Sequence, residues 1–184
     1  ILVTGGCGFI FSNFIRHMLD SYPDYKIINL DALTYAGRLE NTEVFKNNTN
    51  YTFIKGNICD ELLVGKIFND YEIDWVVNAA AETHVDRSIM GSQEFLKTNI
   101  FGTHVFLEAA RKHGVKRFLQ VGTDEEYGSR KDGSFEETDM VSPSSPYSSS
   151  KAAASLLALS YFKTYNLPVL VVRPTNNFGP YQFP

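Results

Sequence analysis

Ile1-Leu2-Val3-Thr4-Gly5-Gly6-Cys7-Gly8-Phe9-Ile10-Phe11 opens the chain with a short apolar run, a glycine-rich turn and the start of a helix. Apolar residues then recur at helical spacing through Phe11, Phe14, Ile15, Met18 and Leu19. A strand that turns through glycines into a helix begins a βαβ unit. Gly5 and Gly8 supply the tight turn and close backbone approach that a pyrophosphate needs at a helix N-terminus, although such turns occur in α/β proteins generally. A small side chain is expected at position 11, where helix and sheet pack closely. This chain has Phe11, whose ring must push the helix outward or swing into the groove above the sheet.

Apolar runs continue at 26–30, 51–55, 75–78, 117–121 and 169–172, and each reads as a short buried strand. Helical patterns lie between them at 60–70, 93–112 and 147–165, with a short helix near 39–45. Strands and helices alternating in this way predict an α/β fold: a doubly wound, Rossmann-type parallel sheet of about six strands with helices on both faces. Its 184 residues suffice for one domain, and 43% hydrophobic with 21% charged residues is ordinary for a globular protein. A net charge of −4 leaves no footprint for nucleic acid or an anionic membrane, and no apolar run spans a bilayer. Cys7 and Cys59 lie far apart and offer neither a disulfide framework nor metal-ligand spacing, which points to a reducing cytoplasm and no metal. The chain opens on Ile1 within a strand and stops just past the sixth, so it is expected to be a segment of a longer protein.

Asp31 ends the second strand, about 20 residues beyond the glycines, where a carboxylate accepts both ribose hydroxyls of NAD and repels the 2′-phosphate of NADP. The alternative for Asp31 is a helix or turn cap. Ala79-Ala80-Ala81 follows the fourth strand with side chains small enough for a cofactor, or a helix, to pass close by. Thr98 and Asn99 fall near the start of a helix, where ordinary polar surface is the alternative. Tyr147 and Lys151 stand at i and i+4 and so share a helix face. An ammonium near a phenol, with an oxidised nicotinamide close by, lowers the phenol's pKa from about 10 toward neutrality and makes it a general base for alcohol oxidation. Thr123, at the end of the fifth strand, is placed to hydrogen-bond the same hydroxyl. Asp124 and Glu125 follow it where open α/β sheets hold their ligands, although an acidic pair also suits a solvated loop.

Together these residues resemble the extended short-chain dehydrogenase/reductases, and within them the dTDP-glucose 4,6-dehydratase family. The matching segments are Thr-Gly-Gly-Cys-Gly-Phe-Ile at 4–10, Asp-Ala-Leu-Thr-Tyr-Ala-Gly at 31–37 and Ala-Ala-Glu-Thr-His-Val-Asp-Arg-Ser-Ile at 80–89. Thr-Asp-Glu at 123–125 with Tyr-Gly at 127–128, Pro-Tyr-Ser-Ser-Ser-Lys at 146–151, and Asn-Asn-Phe-Gly-Pro-Tyr-Gln-Phe-Pro at 176–184 complete the match across essentially the whole chain. Thr-Asp-Glu is the discriminating part, because related epimerases and decarboxylases lack the carboxylate pair. The resemblance implies bound NAD and dehydration of dTDP-glucose to the 4-keto-6-deoxy sugar: oxidation at C4, removal of the C5 proton, loss of the C6 hydroxyl as water and hydride return to C6. It implies Tyr147 as base at the C4 hydroxyl with Lys151 and Thr123 in support, Glu125 as base at C5, and a protonated Asp124 as acid at the C6 hydroxyl. Opposite roles require the two carboxyl pKa values to be driven apart. Phe9, Ile10, Ala32, Leu33, Thr34, Asn57, Ile58, Ala79, Ala80, Ala81 and Thr98 would line the cofactor beside Asp31. Asn177 would meet its nicotinamide side, and Thr83 and Asn176 the substrate.

The chain departs from the family at several positions. Phe11 replaces a glycine, Asn57 an aspartate, Gly122 a serine and Glu126 a valine. Strand-like alternation directs Glu126 away from Glu125. The family continues into a C-terminal nucleotide-sugar domain that residues 1–184 do not include. Helices 93–112 and 147–165 are apolar nearly all round and are expected to pair across a two-fold axis into a homodimer, unless C-terminal residues cover that face. The nearest alternative activity is a related epimerase or decarboxylase; the alternative of a different class is a non-catalytic NAD-binding protein.

Overall fold

A computed structural model describes residues 1–182. Six strands, β1 (Leu2–Thr4), β2 (Ile27–Asp31), β3 (Tyr51–Lys55), β4 (Trp75–Asn78), β5 (Arg117–Val121) and β6 (Val169–Val172), form one sheet in the order β3-β2-β1-β4-β5-β6. Every neighbouring pair is parallel, so each connection crosses over a face. The crossovers carry α1 (Phe9–Ser21), a 3-10 turn (Leu39–Thr42), α2 (Glu61–Asp70), α3 (Val85–Met90), α4 (Gln93–Phe95), a π-helical turn (Leu96–Gly102), α5 (Thr103–His113) and α6 (Pro146–Tyr165). The predicted doubly wound sheet with helices on both faces is what forms. Consecutive strand side chains alternate between its two sides. Leu2, Ile28, Leu30, Val76 and Phe118 face α2, α5 and α6, meeting Val64, Ile67, Val105, Phe106 and Ala158. Val3, Ile27 and Val77 face α1, meeting Ile15, Met18 and Leu19. Phe106 and Phe118 are fully buried, each stabilising the fold by about 1.5–3 kcal/mol relative to exposure.

Local chemistry sets the ends of these elements. The Asp60 side chain accepts from the Leu63 N–H and starts α2, and Ser145 caps α6 ahead of Pro146, which needs no N–H partner at that position. Two elements differ from the sequence expectation. The loop expected after β4 contains α3, entered through His84 at φ 74°. The helix expected over 93–112 is interrupted by the π-helical turn, which inserts an extra residue into the backbone ladder and buries Asn99. Among the described residues no helix is long and apolar enough to cross a membrane.

Order 3-2-1-4-5-6 reverses direction between β1 and β4, and ligand crevices open there at the carboxyl ends of the strands. Buried polar side chains hold that opening. Thr4 Oγ1 donates to Asn78 Oδ1 at 3.1 Å and accepts from the Ala79 and Ala80 N–H groups at 2.9 Å each. Asn78 Nδ2 donates in turn to Thr103 Oγ1 and Gln120 Oε1.

Candidate active site

A groove of about 570 Å³ runs along the carboxyl ends of the strands. Its first end is built from the glycine turn. Gly5 sits at φ +74°, and a Cβ there would lie 2.9 Å from Ala80 Cα, so backbone meets backbone across the crevice. The Asn29 side chain fixes the turn from below, accepting from the Gly6 N–H at 3.0 Å and donating to Cys7 Sγ and the Tyr51 hydroxyl. Gly8 then caps α1, whose first turn carries no acidic residue. The positive end of the helix dipole and its unpaired amides therefore open on the groove beside Phe9 and Ile10.

Asp31 is buried and caps the turns on either side of it while also lining the groove. Its Oδ2 accepts from the Cys7 N–H at 2.9 Å and its Oδ1 from the Leu33 N–H at 2.8 Å. Each carboxylate oxygen has a further acceptor site, and Asp31 lines the groove. The Phe11 ring packs on Phe14, centroids 5.6 Å apart, against the Val3–Ile15–Val77 cluster while also bordering the groove. The turn keeps its geometry, with the Gly8 N–H on the Gly5 carbonyl at 3.1 Å. A glycine cradle, an open helix N-terminus and an acid with spare acceptor capacity fit an adenine dinucleotide.

Residues from both ends of the expected site come together here. Ala32 and Thr34 follow β2, Asn57 and Ile58 follow β3, and Ala79, Ala80, Ala81 and Thr83 follow β4. Thr98 projects from the π-helical turn, and Thr123, Glu125, Tyr147, Lys151, Asn176 and Asn177 close the second end. Leu33 and Asp124 do not line the groove. Leu33 adopts φ 54° in the turn that the Asp31 carboxylate caps. Asp124 Oδ1 accepts from the Thr123 hydroxyl at 3.3 Å. The Asn57 side chain closes its own turn on the Cys59 N–H. Of the last matching segment, Phe183 and Pro184 lie outside the described residues.

Asn99 proves buried rather than part of the surface. Its Oδ1 accepts from the Glu82 N–H, and its Nδ2 donates to the Glu82 carbonyl and to Ser150 Oγ at 2.8 Å. It thereby ties the loop after β4 to the helix carrying Tyr147 and Lys151. The Tyr35 hydroxyl donates to the Thr83 carbonyl and accepts from the Thr83 N–H.

Burial dominates the electrostatics at the second end. Burial holds the Tyr147 phenol above its ordinary pKa; hydrogen bonding with the Thr83 and Thr123 side chains acts against this, and the charges of Glu125 and Glu126 add to it. Lys151 lines the same end of the groove. That ammonium is buried and donates to the Val121 carbonyl at 2.6 Å. Burial lowers its own pKa to about 8, with Glu126 acting in the opposite direction. Burial, then the charge of Asp124, raises the Glu125 carboxyl.

The region after Thr123 is a 3-10 turn (Asp124–Tyr127), and here the strand period gives way to that of the turn. Glu126 does point away from Glu125, but into the protein, where it is fully buried and paired with Arg173 at 2.6 Å. The Thr-x-x-Glu spacing of Thr123 and Glu126 is the signature of a capping box and was the available signal.

A family model described as GDP-mannose 4,6 dehydratase matches residues 2–184. The chain is 46% identical over 184 residues to the dTDP-D-glucose 4,6-dehydratase of Mus musculus, covering all of this chain and 52% of that protein. It superposes on the dTDP-glucose 4,6-dehydratase of Bacillus anthracis, solved in complex with NAD, with TM-score 0.91 and 49% identity, covering 100% of this chain and 56% of that one. The NAD-bound dTDP-glucose 4,6-dehydratase of Streptomyces venezuelae superposes with TM-score 0.94 and 44% identity, covering 98% and 57%. The chain thus spans about half the length of these relatives.

Proposed function

The chain belongs to the GDP-mannose 4,6 dehydratase family, and we propose that it carries the cofactor site and catalytic residues of an NAD-dependent nucleotide-sugar 4,6-dehydratase acting on dTDP-glucose. The meeting of Thr123 and Glu125 with Tyr147 and Lys151 in one groove, beyond a dinucleotide-shaped cradle, carries this reading.

Gly5, Gly8 and the N-terminus of α1 hold the pyrophosphate, and Asp31 accepts the adenosine ribose hydroxyls. Ala79, Ala80 and Ala81 let the cofactor lie close to the sheet, and Asn177 meets the nicotinamide side. When bound, NAD supplies a transient acceptor that takes hydride from C4 of the sugar and returns it to C6. Tyr147 removes the C4 hydroxyl proton, with Thr123 holding the same oxygen and Lys151 holding the strand end beneath it. Thr83 and Asn176 contact the sugar. The new ketone acidifies C5–H, and Glu125 removes that proton. A base works best with its pKa brought toward the operating pH, and burial moves Glu125 in that direction. Asp124 donates the proton with which the C6 hydroxyl leaves as water. Exposed Leu96, Phe101, Leu156, Phe162 and Tyr165 on helices 93–112 and 147–165 support a homodimer in which a second copy covers that face. The reading further places the protein in the cytoplasm, as a biosynthetic enzyme without nucleic-acid or membrane partners.

The test is incubation of the protein carrying this chain with dTDP-glucose in deuterated water. The expected product is the 4-keto-6-deoxy sugar nucleotide with deuterium at C5 and no net NADH. Glu125→Gln is expected to remove the C5 exchange. An epimerised product, or turnover indifferent to Glu125→Gln, would sink the proposal.

A further inference from the structure

Gly122 and Glu126 meet in one place. A Cβ on Gly122 would lie 2.3 Å from Glu126 Oε1, so the missing side chain at 122 makes room for the carboxylate at 126. Glu126 is fully buried, yet both oxygens have partners. Oε1 accepts from Ser155 Oγ at 2.8 Å and from the Thr123 N–H at 3.2 Å. Oε2 accepts from Arg173 Nε at 2.6 Å. Arg173 is itself held by the Tyr127 hydroxyl at 3.1 Å, with its guanidinium over the Tyr127 ring. A carboxylate removed from water is tolerated only when paired and hydrogen-bonded in this way. Two residues earlier on the same backbone, the buried Lys151 ammonium donates to the Val121 carbonyl. The segment 121–123 is therefore gripped at one end by a cation and at the other by an anion.

We infer that Glu126 is a positioning residue: seated by Arg173 and Ser155, it acts with Lys151 as a charge clamp that fixes the end of β5 and aims Thr123 and Glu125 into the groove. Packing alone explains neither the charge nor the partner, since an apolar residue fills a buried turn position at lower desolvation cost. The Thr123 N–H faces the buried carboxylate, while Thr123 and Glu125 line the groove. The Thr123 hydroxyl, which this amide positions, meets both Asp124 Oδ1 and the Glu125 N–H. A displacement of about 1 Å at reacting groups costs on the order of 100-fold in rate, so loss of the anchor reaches the chemistry without touching the dinucleotide end.

The inference rests on the dehydratase reading for its kinetic arm and is independent of it for its structural arm. The variants are Glu126→Gln, Glu126→Val, Gly122→Ser and the Gly122→Ser/Glu126→Val pair, made in the protein carrying this chain. The structural arm is hydrogen exchange of the Thr123 amide, with the Gly5 amide, bonded to the Leu30 carbonyl, as internal reference. Glu126→Val is expected to speed exchange at Thr123 by about tenfold, the equivalent of one hydrogen bond, with Gly5 unchanged. Glu126→Gln keeps an acceptor oxygen and is expected to retain the protection. In the kinetic arm, Glu126→Val is expected to lower kcat by about tenfold or more with the NAD dissociation constant unchanged. Gly122→Ser is expected to cost less when combined with Glu126→Val than alone, because the clash partner is gone. Equal acceleration of exchange at Thr123 and Gly5, or unchanged kcat in folded Glu126→Val, would overturn the clamp. If no dehydration occurs in the parent protein, the functional reading fails while the exchange arm still decides the clamp.

Discussion

Replacing Lys151 with Met is expected to stabilise the fold near neutral pH while abolishing turnover. Lys151 is 4% exposed, and its pKa falls from 10.5 to about 8 through burial, against the opposing field of Glu126. At about 1.4 kcal/mol per pH unit, holding the ammonium in the folded state costs ~3 kcal/mol. Because this pKa is depressed, the folded chain binds fewer protons than the unfolded one between pH 8 and 10.5. The cost is complete below pH 8 and vanishes as pH rises through 10.5. Methionine has similar volume and no charge to desolvate. It forfeits the bond to the Val121 carbonyl, worth about 1 kcal/mol, although Gln120 Nε2 still donates to that oxygen. The net expectation is a variant more stable by ~2 kcal/mol near neutral pH. Its advantage shrinks above pH 8 and reverses before 10.5. Paired urea titrations of both proteins across that range measure it, since their other titrating groups cancel in the difference. A variant less stable at neutral pH, or a gap independent of pH, would refute the reasoning.

Gly5→Ala forces a side chain into a φ of +74° and sets its Cβ 2.9 Å from Ala80 Cα. Conformational strain of about 1–2 kcal/mol plus a shifted loop is expected to weaken dinucleotide binding by about tenfold or more, read by titration calorimetry. Asn99→Ala leaves the part-buried Glu82 amide without its acceptor and removes the tie to Ser150. A loss of about 1–3 kcal/mol in thermal or urea unfolding is expected, with faster hydrogen exchange at the Glu82 amide than at strand amides distant from it.

Much of the fold was legible because most elements obey one local rule. β3, β4 and β5 occupy the residues their apolar runs predict, and the Asp60 cap starts α2 where expected. The misses have physical causes. Helix α3 is short, lacks a side-chain cap and leaves Ile89 and Met90 exposed, so no apolar face announces it. A π-helical turn adds one residue per turn, a shift that averaging over a helical period conceals, and with it the burial of Asn99. The period of β5 does not carry through to Glu126, because the Thr123 cap starts a 3-10 turn with a period of its own. The dinucleotide end was legible because its residues belong to the backbone turn itself. Asn29, Thr4 and Asn78, which hold that turn and its opposite wall, sit within strands and give no sequence signal beyond a polar residue in an apolar run.

The seam between β1 and β4 bears on how the chain is made. Leu2–Thr4 pairs with β2 on one side and with Val76–Asn78 on the other, and the Thr4 hydroxyl meets an acceptor 74 residues later. During synthesis the first βαβ unit can assemble while the second edge of β1 stays bare until β4 emerges. An unpaired apolar edge invites pairing with another nascent chain, and long-range parallel closure is slow. Thr4, donating once and accepting twice, is the side chain that closes this late-forming seam and holds the groove open above it.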